Sequence, residues 1–317
     1  MSKTILVTGG AGFIGSHLIE ALLQRGDRVI CLDNFDEFYD PALKRKNIAG
    51  MLQNKQFVLA EGDIRDRQLL DELFRSYSID VVVHLAARAG VRPSIQFPEL
   101  YYDVNVRGTL TVLEAMKNAG VRKMVFASSS SVYGNNSKVP FSESDSVDNP
   151  ISPYAATKKA CELLCYNYHH LYRFDIFCLR FFTVYGPRQR PEMAIHQFVR
   201  HVMQGNEITL FGDGSSRRDY TNIHDILSGI LLAEDHLTGY GVFNLGEHTT
   251  ISLIDLVRTI EKHTGIPAKM KYLPSQPGDV EITYADITKA STMLGYAPSV
   301  TVDDGIRKFV EWYKGNV

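Results

Sequence analysis

The segment TILVTGGAGFIGSH at residues 4–17 constrains the fold more than any other stretch of this chain. A short β-branched run delivers the backbone into a turn holding Gly9, Gly12 and Gly15, and Phe13 and Ile14 open a helical pattern. Glycine permits the tight turn, and the backbone N–H groups there, with the helix N-terminus, make a seat for a pyrophosphate. The second strand-like run, RVICLD, ends in Asp33, followed by Asn34. A carboxylate at that point hydrogen-bonds a ribose 2′-hydroxyl and repels a 2′-phosphate, so the expected cofactor is NAD rather than NADP.

The same rhythm continues through the first 180 or so residues. Strand candidates are 4–8, 28–33, 56–60, 81–86, 124–128 and 175–181, with helix-length segments at 13–25, 41–51, 66–76, 98–119 and 153–172. Alternation of this kind implies βαβ units and a parallel sheet covered on both sides. The strand candidates are continuous apolar runs, as both-sided burial requires. After Phe181 the pattern changes to helices at 191–204, 224–236, 252–264 and 303–314, separated by loops such as FGDGSS and LPSQPGD. The expected fold class is α/β: a Rossmann-like doubly wound parallel sheet over 1–181 and a smaller C-terminal α/β lobe over 182–317. Some chain is expected to cross between the two.

Composition narrows the class. Hydrophobic residues make up 44% and charged residues 22%, and the formal net charge is −2. That is an ordinary soluble protein with no electrostatic reason to bind nucleic acid. The cluster Lys44-Arg45-Lys46 reads as a solvated helix face. No apolar run approaches the ~20 residues that span a bilayer. The opening residues enter a strand-like run without the apolar region of a signal peptide. Cys31, Cys161, Cys165 and Cys178 show neither CxxC nor zinc spacing and sit in apolar segments, so they read as reduced core thiols. A cytoplasmic location is expected, and no metal site.

Tyr154 is the one tyrosine of sixteen with a lysine, Lys158, four places on. It lies among good helix formers just after Pro153, so phenol and ammonium share a helix face. A free phenol has a pKa of about 10, and a fixed cation nearby favours the phenolate. Alone, such a pair reads more readily as a solvated contact on a helix surface. Its neighbours decide the matter, chiefly the serine cluster Ser128 to Ser131 at the end of the run VFASSSS, where a strand reaches the usual edge for an α/β active site.

The spacing GxxGxxG, with the later motifs in order, resembles the extended branch of the short-chain dehydrogenase/reductase superfamily over nearly the whole chain. The resemblance implies that Asp63 and Ile64 lie near the adenine and that Leu85, Ala86 and Ala87 lie beside the cofactor. Phe13, Ile14, Asn34 and Asn105 join that cofactor set. It implies a catalytic set of Ser129, Tyr154 and Lys158, in which Tyr154 takes the proton of a sugar C4 hydroxyl. Sugar-nucleotide dehydratases and UDP-glucuronate decarboxylases carry acids just before VYG. Here those places are Ser130 and Ser131. Without an acid–base pair for elimination, the expected outcome is 4-epimerisation.

RFFTVYGP, the RPxMA pattern, HLAARAGVR and FGDGSSRRDYTNIHD are similar to the UDP-glucuronic acid 4-epimerases. Thr183 stands where related epimerases have asparagine. A 4-keto uronate is a β-keto acid that loses CO₂ readily, so Arg190 with Ser130, Ser131 and Thr183 would clamp its carboxylate. Arg190 also reads as a structural arginine in a Pro-rich loop. Arg218 reads as a diphosphate partner or a surface ion-pair residue, and Asp279 as a uridine-ribose ligand or a turn aspartate. Arg188 and Gln189 depart from the expected PWGRPDMA. Tyr185, Met193 and Phe198 fit pocket lining and ordinary packing alike, and His84 reads as a satisfied core histidine.

The leading expectation is an NAD-dependent isomerase interconverting UDP-glucuronate and UDP-galacturonate. Alternatives are 4-epimerisation of UDP-glucose or UDP-N-acetylglucosamine, UDP-glucuronate decarboxylation, or a non-catalytic dinucleotide sensor. The amphipathic segments 98–119 and 153–172 are expected to pair subunits of a homodimer.

Overall fold

The structure, a computed structural model, describes residues 2–274 and 281–316. Seven parallel strands form the main sheet, in the order Tyr240–Leu245, Asp175–Phe181, Lys123–Ser129, Val81–His84, Thr4–Thr8, Arg28–Asp33, Phe57–Glu61. Strand order reverses between Thr4–Thr8 and Val81–His84, which pair from Ile5↔Val81 to Thr8↔His84. At such a reversal the connections diverge to opposite faces and leave a crevice beyond the strands' carboxyl ends.

Successive residues of each strand point to opposite faces, so each run feeds two cores. Ile5, Val7, Val29, Cys31 and Val83 pack on one face with Leu18, Ile19 and Ile226. Leu6, Ile30, Leu32 and Val82 pack on the other with Leu113, Met116 and Cys161. All four cysteines are buried free thiols, as their apolar settings suggested.

The seventh strand lies beyond the segment from which strand candidates were drawn. Tyr240–Leu245 returns from the second half of the chain to pair with Asp175–Phe181, Tyr240 opposite Ile176 and Leu245 opposite Phe181. The second half also builds its own core, in which Val199, Leu256, Ile260, Ile306 and Phe309 are fully buried or nearly so. Helices Ala194–Met203, Leu253–Thr264 and Val302–Lys314 surround it.

The Pro153–Tyr172 helix has the bounds read from sequence: proline at its start, Ser152 Oγ accepting from the Ala155 N–H at 3.1 Å, and Arg173 left-handed at its end. The 98–119 segment differs from expectation. It runs as Pro98–Tyr101, a wider π-type turn at Tyr102–Arg107, then Gly108–Ala119. No helix among the described residues is long and apolar enough to cross a membrane.

Candidate active site

The crevice at the strand reversal is a cavity of about 390 Å³. The glycine turn forms its floor. Gly9 has φ +69°, and a Cβ there would lie 2.8 Å from the Ala86 nitrogen. A Cβ on Gly15 would lie 2.3 Å from the Gly9 carbonyl oxygen. Gly12 opens the Phe13–Arg25 helix with no side-chain cap, so the first-turn N–H groups have no side-chain acceptor. With Phe13 and Ile14 on the same wall, this cradle fits a dinucleotide pyrophosphate.

Asp33 and Asn34 line the cavity above the adjoining strand. The Asp33 carboxylate accepts from the N–H of Ala11 at 3.1 Å and of Phe35 at 2.9 Å. Lys44 Nζ lies 3.5 Å away and also lines the cavity. The solvated-face reading of Lys44-Arg45-Lys46 therefore fails for Lys44, which is buried over the Tyr39 ring, and holds for Arg45 and Lys46, which are exposed. The loop after the next strand, Phe57–Glu61, supplies Asp63 and Ile64. Asn34 Nδ2 donates to Asp63 at 2.8 Å, and hydrogen bonds from Arg65 pull the Asp63 carboxyl down to about 2. Leu85, Ala86 and Ala87 follow the Val81–His84 strand along the same wall.

Opposite stand Ser129, Ser130, Ser131, Tyr154 and Lys158. Ser129 Oγ donates to Ser131 Oγ at 3.1 Å and accepts from the Ser131 N–H at 3.1 Å. Lys158 Nζ donates to the Ala127 carbonyl at 2.7 Å, 5.0 Å from the Phe126 ring centre. The Tyr154 ring meets Tyr101 edge-on, with centroids 6.3 Å apart. Beneath them His84 bridges Thr8 at 2.7 Å and Thr109 at 3.0 Å, and burial, reinforced by the Lys158 charge, lowers its pKa to about 3. It is a neutral, satisfied core histidine.

Thr183, Arg190 and Met193 complete the rim. Arg190 Nε lies 2.9 Å from Glu192, and its guanidinium sits 5.5 Å from the Phe38 ring centre. Arg88 covers the same ring at 4.8 Å and pairs with Asp36. Asp36, Phe38 and Arg88 were not singled out from the sequence, and Lys44 was read there only as part of a solvated helix face. Arg88 lies in HLAARAGVR, and that motif was the one available signal.

Two expected residues lie off the cavity wall. Asn105 is buried behind it, accepting from the Arg88 N–H at 2.7 Å and donating to the Arg88 carbonyl and Thr157 Oγ1, both at 3.0 Å. It ties the Arg88 segment to the Tyr154 helix instead of facing the cavity. Arg218 sits on a short strand, its Nη1 donating to the carbonyls of Arg217 at 2.9 Å and Glu281 at 3.2 Å. Asp279 lies outside the described residues. Tyr185 and Phe198 belong to the second lobe's core. Among the described residues no group of three or more His, Cys, Asp or Glu side chains has metal-binding geometry.

A family model described as GDP-mannose 4,6 dehydratase matches residues 6–309. A UDP-glucuronate 4-epimerase of Thermodesulfobacterium geofontis is 44% identical over 98% of this chain and 96% of that protein. The crystal structure of a UDP-glucuronic acid 4-epimerase from Bacillus cereus, in complex with UDP-glucuronic acid and NAD, superposes with TM-score 0.93 at 40% identity, covering 99% of this chain and all of that one. A UDP-glucose 4-epimerase from Thermotoga maritima, with UDP-glucose, gives TM-score 0.91 at 33% identity, covering 99% of each chain. The dehydratase description and the epimerase relatives name branches of one superfamily, and the chain belongs to the sugar-nucleotide epimerase family of extended short-chain dehydrogenases/reductases.

Proposed function

We infer that this chain is an NAD-dependent isomerase, a 4-epimerase that interconverts UDP-glucuronate and UDP-galacturonate. One observation carries the reading: Tyr154, three serine hydroxyls, Thr183 and Arg190 share a cavity with a glycine cradle and Asp33, and hydroxyls fill the places before Val132 where elimination needs acids. Gly9, Gly12 and Gly15 receive the pyrophosphate, Asp33 and Lys44 meet the adenosine ribose, and Lys158 holds the nicotinamide ribose. Bound NAD supplies a reversible acceptor for the C4 hydride. Tyr154 takes the C4 hydroxyl proton and later returns it, with Ser129 hydrogen-bonded to the same oxygen. The keto sugar turns its other face before reduction, which inverts C4. Ser130, Ser131, Thr183 and Arg190 hold the C6 carboxylate. Arg218 and Asp279 serve the diphosphate and uridine end.

A second reading is the same chemistry on a neutral UDP-hexose. It is favoured by the Arg190–Glu192 pair, which already meets the arginine's charge. Incubation with UDP-glucuronate, UDP-glucose and UDP-N-acetylglucosamine in separate reactions, with products resolved by chromatography, decides between them. Turnover of neutral sugars alone overturns the uronate reading.

The working unit is a cytoplasmic homodimer. Tyr102 and Leu110 on the 98–119 segment, and Leu163, Tyr166 and Leu171 on the Tyr154 helix, are large apolar side chains left exposed in the single chain. A second copy would cover them. Sedimentation of a species at the monomer mass across micromolar concentrations would refute this.

A further inference from the structure

Residues 187–190 bridge the cofactor helix and the second lobe. On one side Arg188 reaches back to the Phe13–Arg25 helix: its Nη2 lies 2.6 Å from Glu20 Oε1, and Nη1 donates to Ser16 Oγ at 3.4 Å. His17 Nε2 lies 2.9 Å from the Pro187 carbonyl. A carbonyl only accepts, so Nε2 carries the proton, and burial keeps this imidazole below its ordinary pKa.

On the other side Gln189 is 1% exposed. Its Nε2 donates to the Val184 carbonyl at 3.0 Å, its Oε1 accepts from the His196 N–H at 3.2 Å, and its carbonyl accepts from His196 Nδ1 at 2.6 Å. Arg188 itself has φ +64°, a left-handed conformation that a residue with a Cβ holds only when its surroundings compel it. The next residue is Arg190, on the cavity rim. Arg188 and Gln189 also depart from the PWGRPDMA pattern that this loop resembles.

We propose that Arg188 and Glu20 are positioning residues: their ion pair locks the Arg190 loop to the cofactor helix and thereby protects the sugar carboxylate from loss as CO₂. The proposal rests on the uronate reading. In a 4-keto uronate the C5–C6 bond can break with its electron pair passing into a C4–C5 enolate. CO₂ leaves, and a proton from solvent adds at C5 to give a 4-keto pentose. The break is fast only when the C5–C6 bond lies along the ketone π system. A guanidinium held in register with the cofactor keeps the carboxylate away from that alignment. A loop free to shift relative to the cofactor helix does not.

The test is the ratio of CO₂ released to C4 epimer formed from UDP-glucuronate, measured on the whole enzyme with NAD. Both products come from the same folded molecules, so partial misfolding cancels from the ratio. Glu20→Gln and Arg188→Gln should each raise it about threefold, the size expected of a partly exposed ion pair. The swapped pair, Glu20→Arg with Arg188→Glu, should bring it back toward the wild-type value. An unchanged ratio in the single variants, whatever happens to the overall rate, overturns the proposal, and so does a swapped pair that stays as leaky as the singles. A wild-type enzyme that turns over no uronate at all overturns the functional reading instead.

Discussion

Glu162 and Arg180 form a doubly hydrogen-bonded ion pair immediately behind the candidate active site, with separations of 2.9 and 2.8 Å and side chains 2% and 3% exposed. Glu162 lies one turn beyond Lys158 on the same helix, and it also accepts from Ser128 Oγ at 2.6 Å. Arg180 lies over the Tyr133 ring at 4.8 Å. The pair thus joins the helix bearing Tyr154 and Lys158 to the strand ends bearing Ser129 and Thr183. Removing one partner leaves the other as an uncompensated buried charge.

Glu162→Ala should therefore destabilise the protein by about 3–5 kcal/mol. Replacing both partners by apolar residues, Glu162→Leu with Arg180→Met, should cost less than the single change. Urea unfolding of the two variants checks this, and a single-variant loss below about 1 kcal/mol would contradict the burial argument.

Tyr154→Phe deletes one oxygen and keeps the ring that meets Tyr101. Turnover should fall by a factor of about 10²–10⁴, the usual contribution of a positioned acid–base group. NAD affinity, measured by calorimetry, and the melting temperature should stay near wild type. Undiminished turnover would refute the role assigned to the phenol.

Gly15→Ala tests the floor of the cavity. The new Cβ would sit 2.3 Å from the Gly9 carbonyl oxygen, so the turn must open. Overpacking of this kind costs about 1–3 kcal/mol, and here it falls on the pyrophosphate seat. NAD affinity should drop roughly tenfold or more by calorimetry. Gly26→Ala at the far end of the same helix meets nothing within 4 Å. Its φ of +91° predicts a modest stability loss with no change in NAD affinity.

Glu247 gives the pH test. Burial, with the charges of Asp225 and then Asp219, raises its pKa to about 8, and its Oε2 has no hydrogen-bond partner among the described residues. Burial likewise raises Asp219 to about 6. An acid whose pKa is higher folded than unfolded binds more protons in the folded state, so stability falls as pH rises between the two values. For Glu247 that window runs from about 4.3 to about 8. Glu247→Gln should raise the melting temperature at pH 8 by several degrees and leave it nearly unchanged at pH 4. An equal shift at both pH values would show that ionisation is not the cause.

Local rules made much of this protein legible. The glycine turn, the strand before it and the helix after it obey steric rules within fourteen residues, 4–17. The Tyr154 helix could be bounded because proline, a serine cap and helix periodicity are neighbours in sequence. Lys44 could not be read. Its run looks like any charged helix face, and only the approach of Asp33 from another element turns it inward. The seventh strand was hidden for a related reason: the short run YGVFNL becomes part of the main sheet only by pairing with Asp175–Phe181.

By itself, then, the sequence determined which chemical groups are present and where the chain must turn, wind or extend, because those choices rest on contacts between near neighbours. Tertiary structure alone decided which charges meet. Arg188 and Glu20 are 168 positions apart, and Arg180 finds Glu162 from another element, on no spacing that a sequence displays. Such pairs form only after the sheet has closed and burial has weakened the competition from water. They set how firmly Tyr154, Lys158 and Arg190 are held in one cavity.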